Sequence, residues 1–159
     1  MSTTQRLDWL KAVPGAYKAM LGLEKQIHGS GLERNLLLMV ALRASQINKC
    51  AFCLDMHWKE LRDMGEGEQR LYMLNAWRES PGCSYRERAA LEWTEAVTHI
   101  ENGVEDDVYR TAREHFDEVQ LTNLTLAVVS INGWNRMNVA FLKEAGTSQL
   151  PAHAPVTQA

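Results

Sequence analysis

Cys50, Cys53 and His57 stand in the stretch SQINKCAFCLDMHWKEL, residues 45–61, with two cysteines three apart and a histidine four residues after the second. On a helix turning roughly 100° per residue, the three side chains fall within an arc of about 60°. One face then carries both sulfurs and an imidazole. The thiolate is the reactive form of cysteine, and a helix N-terminus, a C-x-x-C partner and a neighbouring histidine each lower a thiol's pKa or take its proton. The local sequence supplies all three, so the pattern points to thiol redox chemistry.

Two other readings of these residues stay open at this level. The cysteines could be small hydrophobes of a helix core. They could also be part of a zinc site, which needs four protein ligands if structural; Cys83 or His28 would have to be the fourth, and neither sits in a second ligand pair. Cys83, in SPGCSY, is expected in an exposed loop as a bystander, with a resolving role as the alternative. His28, His99 and His115 fall near helix ends, where a histidine serves terminal carbonyls. The tryptophans at 9, 58, 77, 93 and 134 are spaced as packing residues, although Trp58, beside His57, could line a pocket.

The elements that must position these groups read as helices almost everywhere, because the apolar pattern has a helical period and sustained alternation is absent. The expected fold class is all-α. A first helical region covers about Leu7–Ile27, interrupted at Pro14 and stopped by HGSG. A second runs over about Glu33–Gln46, with Leu36, Leu37, Val40 and Ala41 as its buried stripe. Asn48 is expected to cap a third, which holds the cysteines in its first turns and ends near Met64.

Glu68–Trp77 follows as a helix, ended by the SPG at Ser80–Gly82. SYRE, Ser84–Glu87, has capping-box spacing and opens a helix to about His99. Glu105–His115 is a shorter helix with acids at its positive end. Asp117 and Gln120 repeat the capping-box logic for a last helix, about Glu118–Lys143. Residues 1–146 read as a single domain and 147–159 as a loose tail.

The chain has 159 residues, a length suited to one domain with one substantial core. Its net charge is −3, and no Lys/Arg cluster interleaves with aromatics, which argues against nucleic acid as a partner. The N-terminus lacks the apolar segment of a secretory signal. The longest apolar run, Leu36–Leu42, is far shorter than the ~20 residues that span a bilayer. A cytoplasmic location without membrane association is expected. Three cysteines are an odd number, so a disulfide here should be one made and broken during function rather than a structural framework.

The residues RASQINKCAFCLDMHWKEL resemble the signature of the AhpD-like alkylhydroperoxidases of the carboxymuconolactone decarboxylase family. YRERAALEWTEAVT at Tyr85–Thr98 and INGWNRMNVAF at Ile131–Phe141 resemble later helices of its shorter members, so the likeness covers about Pro14 to Phe141. The resemblance implies an AhpD-like helix bundle that assembles as a homo-oligomer, trimer or hexamer, with the C-x-x-C helix in a cleft near subunit contacts. It implies reduction of a hydroperoxide coupled to cysteine oxidation, with no bound cofactor and with electrons returned by an external dithiol reductant, such as a lipoyl-carrying donor.

Carried over by position, Cys53 is the peroxide-attacking thiolate, Cys50 the resolving partner, and His57 manages their protons. The i,i+4 relation of Cys53 and His57 supports that order. The position of Cys50 nearer the helix N-terminus equally allows it to be the more acidic thiol.

One departure bears on mechanism. Better-studied hydroperoxidases of the family carry a proton-relay glutamate twelve residues before the first cysteine, where this chain has Leu38. Glu33 lies about 140° around the helix from position 38. Glu95, on the WTEAVT helix, is the candidate catalytic acid reaching the site from elsewhere in the fold, with Ser45 and water as further options. Alternative functions are a lyase like the family's decarboxylases, which do not depend on a C-x-x-C pair, and a redox-sensing oligomer without catalysis.

Overall fold

The computed structural model describes residues 4–148. Among them the chain is helical with no strand: α1 (Trp9–Ala12), α2 (Pro14–His28), α3 (Arg34–Asn48), α4 (Ala51–Asp63), α5 (Glu68–Tyr72), α6 (Tyr85–Thr98), α7 (Asp106–His115) and α8 (Glu118–Ala140). Residues 149–159, most of the segment expected to be a loose tail, lie outside the described residues.

Local chemistry sets most boundaries. Pro14 opens α2 at a position where its missing N–H would have no helical partner, so the first helical region breaks there, as expected. The Ser84–Glu87 and Asp117–Gln120 capping boxes are both formed, each side chain bonding the other residue's backbone N–H. Asn48, however, caps nothing: it is the last residue of α3, and Cys50 is the N-cap of α4. The join is made by Lys49 in the left-handed region at φ 57°, with the Cys50 N–H reaching back to the Ser45 carbonyl at 3.1 Å. That six-residue closure fits a helix end and redirects the chain within two residues.

Two boundaries differ from the pattern-based expectation. Beyond α5 the chain tightens into a 3-10 turn over Met73–Ala76. The three buried residues here, Leu71, Leu74 and Trp77, are three apart, and a three-residue turn stacks that spacing on one side better than an α-helix does. The last helix ends at Ala140 rather than Lys143: Leu142 takes φ 51°, and the Lys143 N–H bonds the Asn138 carbonyl at 2.9 Å. This second six-residue closure brings Lys143 back over the ring of Phe52 on α4.

Helix α3 occupies the centre. Leu36, Leu37 and Val40 pack with Ala89, Ala90 and Trp93 of α6 and with Leu124 and Val128 of α8. Leu38, Met39 and Leu42 pack with Leu61 of α4, with Leu71, Leu74 and Trp77, and with Leu91 of α6. Each fully buried aliphatic side chain contributes about 1.5–3 kcal/mol relative to exposure. A helix buried on so many sides is a rigid support, and it is the element that delivers the chain into the C-x-x-C turn. Ala41, expected in the buried stripe, is only half-buried and faces a cavity. No described helix is long and apolar enough to cross a membrane.

Candidate active site

The α3–α4 closure places Cys50 at the N-cap of α4 and Cys53 three residues on, in its first turn. A side chain at an N-cap reaches the third helical residue, which is how capping hydroxyls find their partners. Here the same reach joins two sulfurs: Cys50 and Cys53 form a disulfide, with Cα atoms 5.4 Å apart. Both residues are 1% exposed. Only Cys53 of the pair lines a cavity of about 300 Å³ enclosed by α1, α2, α3, α4 and α8. Burial reads the same for the two cysteines; access does not.

Most of the cavity wall is apolar. Tyr17, Leu21 and Ile27 of α2 face Leu37 and Leu38 of α3, with Phe52 and Met56 of α4 and Ile131 and Trp134 of α8 closing it. Leu38 therefore puts an aliphatic wall where the resemblance leads one to look for an acid. Trp9, Tyr17 and Trp134 pack together at its edge, with ring centroids 5.6–6.4 Å apart. The polar groups at the cavity are few: Cys53, His57 and Glu60 on α4, Glu24 and His28 on α2, and Asn138 and Lys143 at the end of α8 and beyond. An apolar pocket with a few convergent polar groups is the usual form of a small-molecule site.

His57 is 8% exposed, and its Nδ1 lies 2.9 Å from Glu60 Oε2. Its Nε2 is buried with no hydrogen-bond partner. Buried polar atoms almost always have partners, and an orphan at a cavity wall marks where an incoming group can bind. Asn138 Nδ2 donates to Cys53 Sγ at 3.4 Å, while its Oδ1 accepts from Trp9 Nε1 at 3.3 Å. The amide is thus oriented from both ends, with its N–H directed at sulfur.

Behind the cysteine turn lies a buried polar ladder. Asn48 Nδ2 donates to Asn132 Oδ1 and to Asn135 Oδ1, both at 2.9 Å, and Asn135 Nδ2 donates to Ser45 Oγ at 3.0 Å. Asn132, Asn135 and Asn138 are three apart on α8, so they rise along one face of the helix. This face pins the end of α3 and the cysteine turn to α8. Ser45 is held in this ladder, 0% exposed, and is not at the cavity.

Glu95 is not brought to the site. Its carboxylate receives Trp77 Nε1 at 2.7 Å, Arg43 Nε at 2.8 Å and Arg78 Nη1 at 2.5 Å, and it is not among the cavity residues. Burial alone would raise its pKa, but those three donors hold the carboxyl below its ordinary value. Three fixed donors make it an ionised anchor between α3, the α5–α6 segment and α6. Trp58 also points elsewhere: it is partly exposed, near Arg62, and absent from the cavity wall.

Cys83 is half-buried and free, and burial pushes its thiol pKa up, which disfavours the thiolate. It lies outside the cavity as well. Among the described residues, no three His, Cys, Asp or Glu side chains converge as metal ligands. His28, read from the sequence as a helix-end histidine, does line the cavity, with Nε2 3.5 Å from Glu24 Oε2.

Sequence reasoning missed Glu60, Glu24 and Asn138. Glu60 had a local signal, an acid three residues after His57 on one helix. Glu24 and Asn138 come from helices distant in sequence; Asn138 lies in the Ile131–Phe141 stretch that carries the resemblance, but nothing local singles out either residue.

A buried C-x-x-C disulfide thus stands in the first turn of a helix in an all-helical scaffold, with Cys53 bordering an apolar cavity beside His57. The model of the carboxymuconolactone decarboxylase family matches residues 14–96. The chain belongs to that family and is AhpD-like within it. It is 41% identical over 145 residues to the uncharacterized protein YdfG of Bacillus subtilis, covering 91% of this chain and 99% of that one.

A crystal structure from Agrobacterium tumefaciens, of a protein of unknown function suggested to be the antioxidant defence protein AhpD, superposes with a TM-score of 0.87. It shares 43% identity over 91% of this chain and 100% of that one. An uncharacterized peroxidase-related protein from Silicibacter aligns at 25% identity and a TM-score of 0.71, covering 78% and 66% of the two chains.

Proposed function

We propose that this protein is a thiol-dependent peroxidase that reduces hydroperoxides at Cys53 and is regenerated by an external dithiol. The observation that carries the reading is the asymmetry of the pair: Cys50 and Cys53 are bonded to each other, yet Cys53 alone borders the cavity, with the unpartnered Nε2 of His57 on the same wall. Membership of an AhpD-like family adds support.

In the cycle, the Cys53 thiol passes its proton to His57, and the thiolate attacks the distal oxygen of the hydroperoxide. The O–O bond breaks, and the departing alkoxide takes the proton from His57 to leave as alcohol, while Cys53 becomes a sulfenic acid. The Cys50 thiol then condenses with it, forming the disulfide and releasing water. A dithiol donor of the lipoyl type reduces that disulfide by exchange and is itself oxidised to a cyclic disulfide.

The apolar wall suits an organic hydroperoxide, whose carbon chain would be desolvated there at about 25 cal/mol per Å². No resident cofactor has a step in this cycle. Assembly as a trimer or hexamer and a cytoplasmic setting belong to the same reading.

The test is peroxide consumption by the reduced protein, with and without dihydrolipoamide, using hydrogen peroxide and an organic hydroperoxide while cysteine oxidation is mapped by mass spectrometry. Multiple turnovers with a Cys50–Cys53 disulfide support the proposal. A disulfide that forms and is reduced without peroxide loss would make the protein a thiol–disulfide exchange enzyme instead.

A further inference from the structure

Position 38 holds leucine, and Glu95 is committed to Trp77, Arg43 and Arg78, so neither residue can serve His57 as an acid. The groups facing the imidazole across the cavity can be named element by element. From α3 come only Leu37, Leu38 and Ala41, and from α1 only Trp9 and Leu10. Helix α2 presents Tyr17, Glu24 and His28; beyond α8 there is Lys143. Glu24 is already engaged: Oε1 accepts from Ser130 Oγ at 2.5 Å and from Trp134 Nε1 at 2.9 Å, and Oε2 lies 3.5 Å from His28. One carboxylate remains in contact with the imidazole, Glu60, at 2.9 Å from Nδ1.

We infer that Glu60 is the positioning residue of the site, supplying from the histidine's own helix the carboxylate support for His57 that Leu38 cannot give. The inference rests on the proposed thiol chemistry of Cys53, and it goes beyond that proposal in assigning the acid. A carboxylate at Nδ1 keeps the proton of the neutral ring on that nitrogen, as the aspartate does in hydrolase triads, and leaves Nε2 as a lone pair. That lone pair is the atom with no partner at the cavity wall. When Nε2 takes the Cys53 proton, the imidazolium forms against a fixed negative charge, which stabilises the thiolate–imidazolium pair. When Nε2 returns the proton to the leaving oxygen, the ring reverts to the same tautomer. Glu60 itself never carries the proton. The i,i+3 spacing on α4 holds the pair without help from any other element, so the device is local to the sequence H-W-K-E.

The experiment compares the wild type, Glu60→Gln, His57→Gln and the double variant, all reduced. Its first readout is the rate of Cys53 alkylation by iodoacetamide across pH, located by mass spectrometry. The second is the rate of Cys53 oxidation by an organic hydroperoxide. Glutamine keeps the shape and an acceptor for Nδ1–H but removes the charge. The acid limb of the Glu60→Gln alkylation profile is expected to move up by about one pH unit, and Cys53 oxidation near neutral pH to slow about 10- to 100-fold.

The same change in the His57→Gln background should have no further effect, because Glu60 acts only through His57. Glu95→Gln should leave the profile in place. A Glu60→Gln profile superimposable on the wild type, in a protein of unchanged circular dichroism, overturns the inference. So does an equal shift in the two backgrounds. The alkylation arm needs no peroxide, so a shifted profile in a protein that consumes none would uphold Glu60 while rejecting the peroxidase reading.

Discussion

Asn138 Nδ2 stands 3.4 Å from Cys53 Sγ, held there by the Trp9 indole on its other end. A hydrogen bond to a charged group contributes about 1.5–3 kcal/mol, more than one to the neutral thiol, so the contact favours the thiolate. Replacing Asn138 by Ala should move the acid limb of Cys53 alkylation to higher pH. Alkylation rates of the reduced protein across pH check this, and an unmoved profile would remove Asn138 from the site's electrostatics.

The cavity is reached by one cysteine and not by the other. Cys53→Ser should abolish hydroperoxide consumption. Cys50→Ser should permit one oxidation and then stall for lack of a resolving thiol. Cys83→Ser, outside the cavity and with its thiol pKa raised, should turn over as the wild type does. Steady-state peroxide assays of the three variants separate these roles.

The buried ladder predicts a stability effect distinct from catalysis. Asn135 is 0% exposed, donates to Ser45 and accepts from Asn48. Asn135→Ala removes both bonds and leaves Asn48 only its bond to Asn132 and Ser45 only its bond to the Ala41 carbonyl, so it should lower unfolding stability by about 1–3 kcal/mol. Urea denaturation of the reduced and oxidised forms measures it, and a loss below about 0.5 kcal/mol would deny the ladder a structural role.

Glu95 gives a pH-dependent prediction. Its folded pKa lies below the ordinary 4.5, because the donors from Trp77, Arg78 and Arg43 outweigh burial. A depressed folded value means its contribution is fully present above about 4.5 and is lost as pH falls from there through the lower folded value. Glu95→Gln should therefore lower stability by about 1–3 kcal/mol near neutral pH, with the gap narrowing in acid, while Cys53 reactivity stays unchanged. Denaturation at about pH 7 and about pH 3.5, beside an alkylation assay, tests both halves.

Much of the scaffold could be read from single segments. The capping boxes at Ser84 and Asp117, the break at Pro14 and the helical period all act within a few residues, so their outcome is local. The cysteine turn was legible in part: the shared face of Cys50, Cys53 and His57 follows from spacing, whereas its N-cap does not. Asn48 carries a capping side chain, but that amide is drawn to Asn132 and Asn135, more than eighty residues away, and the cap falls to Cys50.

The same long-range competition misdirected the search for an acid. Glu95 looked free to reach the site because Arg43, Trp77 and Arg78 converge on it only in the folded chain. Glu60 was readable from its i,i+3 spacing to His57, but the sequence alone did not show that its carboxylate turns to the imidazole rather than to solvent.

The measurement that bears most directly on the central claim is a single turnover of reduced Cys50→Ser with one equivalent of an organic hydroperoxide, with sulfenic acid trapped by dimedone and mapped by mass spectrometry. The account predicts one trapped group, on Cys53, and one equivalent of alcohol formed. Intact peroxide with Cys53 unlabelled would contradict it.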